Sequence, residues 1–401
     1  MTLEFWFDVV CPYAWLASTA VEELAARAGA KLVYKPVLLG GLYKAHASSQ
    51  NPAQTMSAPR AVLDLRDRVR QAERLGVTVT PNPKHPIRSV KAMRLVLAAS
   101  DPGPIAADLF RLYHVDGGDF SDDAVLDDIA QKHGLEPGCY RDPAMKAALF
   151  AATAEGVERG LFGVPSLFVD DGPMIWGVDQ LHFVEEQLGL PPREPIAATR
   201  TGAALTFFHD FSSPYSYLAS TRIQAIADRH QARLELVPIL LGGLFRSIGT
   251  ADVPLATFSE AKQRWNGTNL QRWATHWQVP FRFPEAFPLR TVAACRIAIA
   301  EPASTPTLYE AAWGRGLNIG DPQVLAEVLT DAGFDAAALL ARTADPTIKA
   351  QLRANTERAQ AAGCCGVPSF LIDGEVLFWG QDRFDMVEAA LQGWRPSAEQ
   401  G

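Results

Sequence analysis

Two short segments put a thiol and a hydroxyl in the same chemical setting. Cys11-Pro12-Tyr13 and Ser213-Pro214-Tyr215 each follow a run of apolar and aromatic residues and precede a helical pattern. Proline suits the first helical position, where its missing N–H costs nothing. The Cys11 or Ser213 side chain then stands at the N-cap, facing unsatisfied backbone N–H groups and the positive end of the helix dipole. That place favours a thiolate, either the residue's own or that of a bound molecule. It equally suits a residue that only caps the helix, and the segment alone does not choose between the two.

Both segments belong to one internal repeat. Phe5–Leu42 and Phe207–Leu244 align without gaps at an offset of 202, with 18 of 38 residues identical. The correspondence continues through His85-Pro86-Ile87-Arg88 and Phe287-Pro288-Leu289-Arg290. At an offset of 203 it includes Asp142-Pro143 and Asp345-Pro346, Gly163-Val164-Pro165-Ser166 and Gly366-Val367-Pro368-Ser369, and Trp176-Gly177 and Trp379-Gly380. Two domains are expected, 1–190 and 205–395, joined by a Pro- and Ala-containing linker, 191–204. Each half is long enough to bury its own core.

Each half opens on a strand-like run, Leu3–Val10 or Leu205–Phe211, and a helix with Leu16, Ala20 and Leu24, or Leu218 and Ile226, on one face. A second strand, Leu32–Leu38 or Leu234–Leu240, ends at a Gly40-Gly41 or Gly242-Gly243 breaker. Residues 55–155 and 257–358 have helical spacing. Ser166–Val169 or Ser369–Ile372 then reads as a strand entering an Asp-Gly turn, with a short strand to Trp176 or Trp379 and a final helix. The order βαβ, helical block, ββα predicts an α/β chain of two tandem thioredoxin-like domains, each with an inserted helical subdomain. In such a sheet the Val164-Pro165 or Val367-Pro368 turn lies against the first helix N-terminus and offers backbone groups to an extended peptide. A tight X-Pro turn of this kind is a setting for a cis bond; a β-edge proline without further role is the plainer reading.

Charge and cysteine usage exclude several classes. The net charge of −8, with no long basic run, argues against nucleic acid and anionic membrane as partners. No run of roughly eighteen apolar residues offers a membrane span, and a strand pattern starting within four residues of Met1 leaves no room for a signal peptide, so a cytoplasmic location is expected. The cysteines, Cys11, Cys139, Cys295, Cys364 and Cys365, form no C-x-x-C pair and no disulfide framework. The histidines are scattered, without ligand spacing, so no metal site is expected.

The second half carries FHDFSSPYSYLAS, PILLGGLF, NLQRWATHWQVPFRFP and GVPSFLIDGEVLFWGQDRFDMVE. It closely resembles the 2-hydroxychromene-2-carboxylate isomerase and kappa-class glutathione transferase family, in the DsbA-like branch of the thioredoxin superfamily. The first half resembles it more loosely. The combination of D-x-x-S-P-x-S-Y-L-A, G-V-P-[ST]-F and W-G-x-D-R is what makes the resemblance specific. It implies glutathione as cofactor, its sulfur kept as thiolate by Ser213, with Tyr215 and Pro368 in the same motifs. Val367 would pair through its backbone with the cysteinyl amide, and Gln381-Asp382 would hold the γ-glutamyl end. Asp382 suits an ammonium, and Arg383 a carboxylate or a supporting ion pair; a solvated pair at a helix start is the plain alternative.

Departures from the family pattern bear on function. Gly249-Thr250 stands where the family often has Gly-Asn, so Thr250 shortens or loses that contact; Asn51 lies near the matching place in the first half. The first half keeps Tyr13, Val164, Pro165 and Asp179 but has Gln180 in place of Arg383, and its Asp67 aligns with Asn269, with no role assigned to either. Cys11 is either a low-pKa nucleophile or a near-isosteric replacement for serine in a half that no longer catalyses.

Other features read as structural or remain open. Cys364-Cys365 reads as packing, with redox sensing as the alternative. Arg88 and Arg290 are matched, as anion anchors or surface residues. Trp265, Trp273 and Trp277 have helical spacing and read as core or as the wall of an apolar pocket.

The activity implied by the resemblance is glutathione-dependent isomerisation of an unsaturated or aromatic 2-oxo acid, in a chain whose two domains pack as a pseudo-dimer. A kappa-like transferase, a Cys11-based thiol-disulfide oxidoreductase, and a non-catalytic glutathione- or peptide-binding module are the alternatives.

Overall fold

The computed structural model describes residues 1–192, 196 and 200–399. Within the expected linker, residues 193–195 and 197–199 lie outside the described residues. The first domain runs β1 (Thr2–Phe7), α1 (Pro12–Ala28), β2 (Lys31–Pro36), α2 (Leu39–Ala45), α3 (Ala58–Leu75), α4 (Val90–Ala98), α5 (Pro102–His114), α6 (Asp123–Lys132), α7 (Pro143–Glu158), β3 (Ser166–Val169), β4 (Ile175–Trp176) and α8 (Leu181–Gln187). The second runs β5 (Ala204–His209), α9 (Pro214–Arg229), β6 (Arg233–Pro238), α10 (Leu241–Ser247), α11 (Glu260–His276), α12 (Val292–Ala300), α13 (Thr305–Tyr309), α14 (Pro322–Asp331), α15 (Ala336–Arg342), α16 (Pro346–Ala361), β7 (Ser369–Ile372), β8 (Val376–Trp379) and α17 (Phe384–Leu391). No helix among the described residues is long and apolar enough to cross a membrane.

Each sheet has four strands, ordered β2-β1-β3-β4 and β6-β5-β7-β8. β1 pairs parallel with β2 (Phe5 opposite Tyr34) and antiparallel with β3 (Phe5 opposite Leu167); β5 repeats this with β6 and β7 (Phe207 opposite Leu236 and Phe370). Helices cover both faces of the central strand, so β1 buries Leu3, Phe5, Trp6 and Phe7 rather than alternating.

The strands stop earlier than the apolar runs, at Phe7 and His209, because Asp8 and Asp210 turn the chain. The glycine pairs also differ from expectation. Gly40-Gly41 and Gly242-Gly243 do not break structure but lie in the first turns of α2 and α10. A distant carboxylate, Asp8 or Asp210, caps these short helices at Leu39 N or Leu241 N. A Cβ at Gly41 would come within 2.8 Å of Thr153 Cγ2, so glycine lets α2 approach α7.

The two domains are joined by a reciprocal exchange. α3 presents residues 60, 63, 67, 70 and 74, one helical stripe, to the second domain. Arg60 stacks 3.9 Å above Trp379, Arg70 4.6 Å above Phe378, and Arg74 pairs with Asp385 at 2.9 Å, while Leu63 joins Cys365, Val367 and Leu377 in one apolar cluster. α11 presents the equivalent stripe to the first domain. Trp265 packs edge-on to Trp176 with centroids 5.2 Å apart, Trp273 to Phe183 at 4.8 Å, and Arg272 donates to Met174 O at 2.9 Å. Trp265 and Trp273 therefore belong to the domain interface, where a domain core or pocket wall was expected, whereas Trp277 packs against Phe384 of its own domain. The domains form a pseudo-dimer within one chain.

Candidate active site

A buried carboxylate fixes the turn before each N-cap. Asp210 Oδ1 accepts from Ser212 N at 2.9 Å and Thr291 Oγ1 at 2.6 Å, and its Oδ2 from Leu241 N at 2.7 Å. Asp8 does the same with Val10 N, Leu39 N and Ser89 Oγ at 3.2, 2.9 and 2.9 Å. Burial pushes both carboxyls up from their ordinary range, and these donors pull them back. The knot locks the strand end to the starts of α2 and α4, or of α10 and α12. Three residues after each aspartate come Cys11 and Ser213.

The two N-cap residues behave differently. Ser213 Oγ accepts from Ser216 N at 3.1 Å, a side-chain cap, and donates to Val367 O at 3.1 Å. Cys11 makes no cap bond; its Sγ donates to Val164 O at 3.2 Å. Burial pushes the Cys11 thiol up to about 12, against the pull of the Ala14 and Tyr13 N–H groups. Desolvation thus outweighs the helix N-terminus at this thiol, which favours the near-isosteric reading of Cys11 over the low-pKa one. Cys364 and Cys365 are buried free thiols, likewise raised by burial, and packing accounts for them.

The X-Pro turns meet the N-caps as expected. Val164-Pro165 and Val367-Pro368 are both cis; so are His85-Pro86 and Phe287-Pro288, which nothing in the sequence singled out beyond their matched positions. Pro368 O accepts from Gly380 N at 3.0 Å, and Pro165 O from Gly177 N at 3.1 Å. This brings the W-G-x-D segments onto the turns. Gly380 has φ 110°, and a Cβ there would fall 2.3 Å from Asp382 Oδ1, so only glycine fits. Gln381, 3 % exposed, Asp382 and Arg383 follow directly.

Arg383 is held by carboxylates from both domains. It pairs with its neighbour Asp382 at 3.0 Å, and across the boundary with Asp179 at 3.1 Å and, through two bonds at 2.7 and 3.0 Å, with Asp67. Asp382 and Asp179 also touch. Burial pushes the Asp382 carboxyl up, Arg383 pulling against it and Asp179 adding to it. Asp179 is held below its ordinary range: burial opposes this, but Arg383 and the bond with Asp382 outweigh it. At the matching junction the counterparts of Arg383 and Asp67, Gln180 and Asn269, are neutral, while Asp179 stands where Asp382 does. Gln180 and Asn269 are each 2 % exposed, and Gln180 Oε1 and Asn269 Oδ1 have no partner among the described residues.

Tyr215 donates to Asn266 on α11, and Tyr13 to Asp64 Oδ1 on α3 at 2.9 Å, so both hydroxyls are committed within their own domains. Thr250 and Asn51 lie in loops after α10 and α2, with no side-chain hydrogen bond to the cap or turn residues. Arg88 and Arg290 are exposed on the surface. Two cations that sequence reasoning missed reach the cis turns from the opposite domain. Arg60 lies over Trp379; Lys262 lies 5.3 Å from the Trp176 ring and 4.2 Å from Phe258. Neither forms an ion pair among the described residues, and burial, with Arg60 nearby, pushes Lys262 down to about 8. The signal for them, and for Asp67, was the repeated stripe on α3 and α11, which only the interface explains.

The sequence matches the model of the DSBA-like thioredoxin domain twice, over residues 2–189 and 204–392. The chain belongs to that family. It is 28 % identical over 197 residues to 2-hydroxychromene-2-carboxylate isomerase of Sphingobium xenophagum, an alignment covering 47 % of this chain and 97 % of the relative. Glutathione S-transferase kappa 1 of Homo sapiens is 27 % identical over 203 residues, covering 46 % of this chain and 88 % of the relative. A solved selenomethionine structure of 2-hydroxychromene-2-carboxylate isomerase matches at 24 % identity and a TM-score of 0.43, over 47 % of this chain and 94 % of that one. Each relative thus corresponds in length to half of this chain, which carries the domain twice. Relationship to isomerases and glutathione transferases supports an enzyme of that broad kind.

Proposed function

We propose that the chain is a glutathione-dependent isomerase of small unsaturated or aromatic 2-oxo acids, working at Ser213 with domain one as the second half of the site. The observation that carries this reading is the asymmetry of the halves. Only at Ser213 does a hydroxyl cap the helix N-terminus beside a cis turn and a charged Asp382–Arg383–Asp67 cluster. The donor set fits glutathione. Ser213 and the α9 N-terminus suit a thiolate, the Val367 backbone a peptide, Asp382 and Asp67 an ammonium, and Arg383 and Arg60 carboxylates.

Glutathione, when bound, supplies a thiolate nucleophile for a conjugated acid, dividing one high barrier into two lower ones. The chain's own residues prepare for this. Ser213 would turn its O–H from Val367 O to the sulfur position on binding, the Asp210 knot holds the turn that carries it, and α3 of the first domain closes the turn with Leu63 and Arg60. At Cys11 the thiol is neutral, Gln180 and Asn269 carry no charge, and Asp179 is engaged by Arg383 across the boundary, so one glutathione per chain is expected.

Calorimetric titration of the full chain with reduced glutathione, alongside Ser213→Ala, tests the proposal. One site per chain that is lost or strongly weakened in the variant supports it. Two sites, one untouched by the substitution, would make the first domain a second centre; no binding would remove the glutathione reading altogether.

A further inference from the structure

A second polar cleft lies in the second domain, between α10, α12 and α16. Its volume is about 600 Å³, within the range of small-molecule sites. Leu240 and Leu352 give it an apolar floor, and Arg296, Lys349, Arg353 and Glu357 give it three positive charges against one negative. None of these four charged groups forms an ion pair among the described residues. Arg296 donates to Thr343 O at 3.2 Å, and its Nε is buried with no partner.

The cleft differs from its counterpart in the first half, although Arg296 and Lys349 match Arg94 and Lys146 there. Thr356 Oγ1 accepts from Leu240 N as Thr153 Oγ1 does from Leu38 N, so the frames correspond. At the matching positions Arg353 faces Phe150, Glu357 faces Ala154, and Ser247 faces Ala45. The helices also stand farther apart here. A Cβ on Gly41 would meet Thr153 Cγ2 at 2.8 Å, whereas one on Gly243 would be 3.7 Å from Thr356 Cγ2. In the first domain the same surface instead shows Phe150, 58 % exposed. Wider spacing goes together with Arg353 and Glu357 in place of Phe150 and Ala154.

We propose that this cleft binds a small organic dianion, a molecule with two carboxylates or one phosphate ester on a short apolar body. The apolar body would lie on Leu240 and Leu352. Lys349 and Arg353, one helical turn apart on α16, and Arg296 from α12 supply converging donors for its charges. A neutral molecule would leave these cations without counter-charge, and a long one would exceed the cleft.

Calorimetry of the full chain with phthalate, phenyl phosphate and neutral benzamide tests this. Saturable binding of phthalate or phenyl phosphate, but not benzamide, is expected, and the better of the two anions identifies the anionic group. Lys349→Ala with Arg353→Phe, the latter a side chain already tolerated at position 150, should weaken it at least ~10-fold. Glutathione titration of the same variant verifies its integrity and should be unchanged. Absence of saturable binding at millimolar anion, equal binding of benzamide, or equal affinity in the variant would overturn the proposal.

Discussion

Replacing Asp67 with asparagine removes the charge and one of the two bonds to Arg383 while leaving Asp179 and Asp382 in place. The Asp67 and Arg383 side chains are 15 % and 14 % exposed. The loss therefore lies between that of an exposed pair, up to about 1 kcal/mol, and that of a fully buried one, about 3–5 kcal/mol. About 2 kcal/mol is expected, or roughly 4–8 °C in melting midpoint for domains of this size. Arg383→Gln costs more, because it leaves three carboxylates, Asp67, Asp179 and Asp382, without their cation. The double variant recreates the neutral pair that the chain already holds at Gln180 and Asn269. It should lose less than the sum of the singles, with a coupling of about 1–2 kcal/mol, yet bind glutathione far more weakly. Differential scanning fluorimetry of the four proteins at neutral pH, paired with glutathione titration, reads both quantities. Strict additivity of the singles, or an Asp67→Asn midpoint equal to the parent's, would refute the reasoning.

Further outcomes follow from the same geometry. With its thiol raised to about 12, Cys11 should be alkylated by iodoacetamide at pH 8 about 10³-fold more slowly than a free cysteine, and more slowly than half-buried Cys139, as followed by peptide mapping. Lys262 sits below its unfolded value, so the unfolded chain binds more protons between about pH 8 and the ordinary lysine range, and its contribution makes stability rise with pH there. Lys262→Met should raise the melting midpoint at pH 7, and the gain should shrink as pH is raised toward 10; a gain independent of pH would mean that packing, not charge, is responsible.

What could be read from the sequence was what repeats locally. The offset of 202 to 203 carried the fold, and strands Ser166–Val169 and Ser369–Ile372 fall where the apolar runs ended in Asp-Gly turns. Ser213, Cys11 and the cis turns come together because the βαβ and ββα units force them to one edge. The glycine pairs were misread because their helices are capped by Asp8 and Asp210, about thirty residues earlier in the chain. Asp67 had no legible role because its partner, Arg383, lies 316 residues away in the other domain. Nor does any local pattern tell a desolvated thiol from an activated one at Cys11. The same cap position serves both, and burial by distant elements decides.

Joining two copies in one chain has a consequence for how such a site can change. In a symmetric pair of identical subunits, one substitution appears at both sites, so a change that abolishes one centre abolishes the other. Here Arg383 and Asp67 form one junction while Gln180 and Asn269 stand at the matching one, each pair drawing one member from each domain. Selection can hold one charged junction fixed and leave the other free to vary. If the proposed site at Ser213 is the working one, the first domain holds α3, Asp67 and Arg60 for a site that it does not itself contain, while its own cap and pocket stand outside that constraint. Division of labour between identical folds then needs no second gene, only a covalent link that lets symmetry lapse.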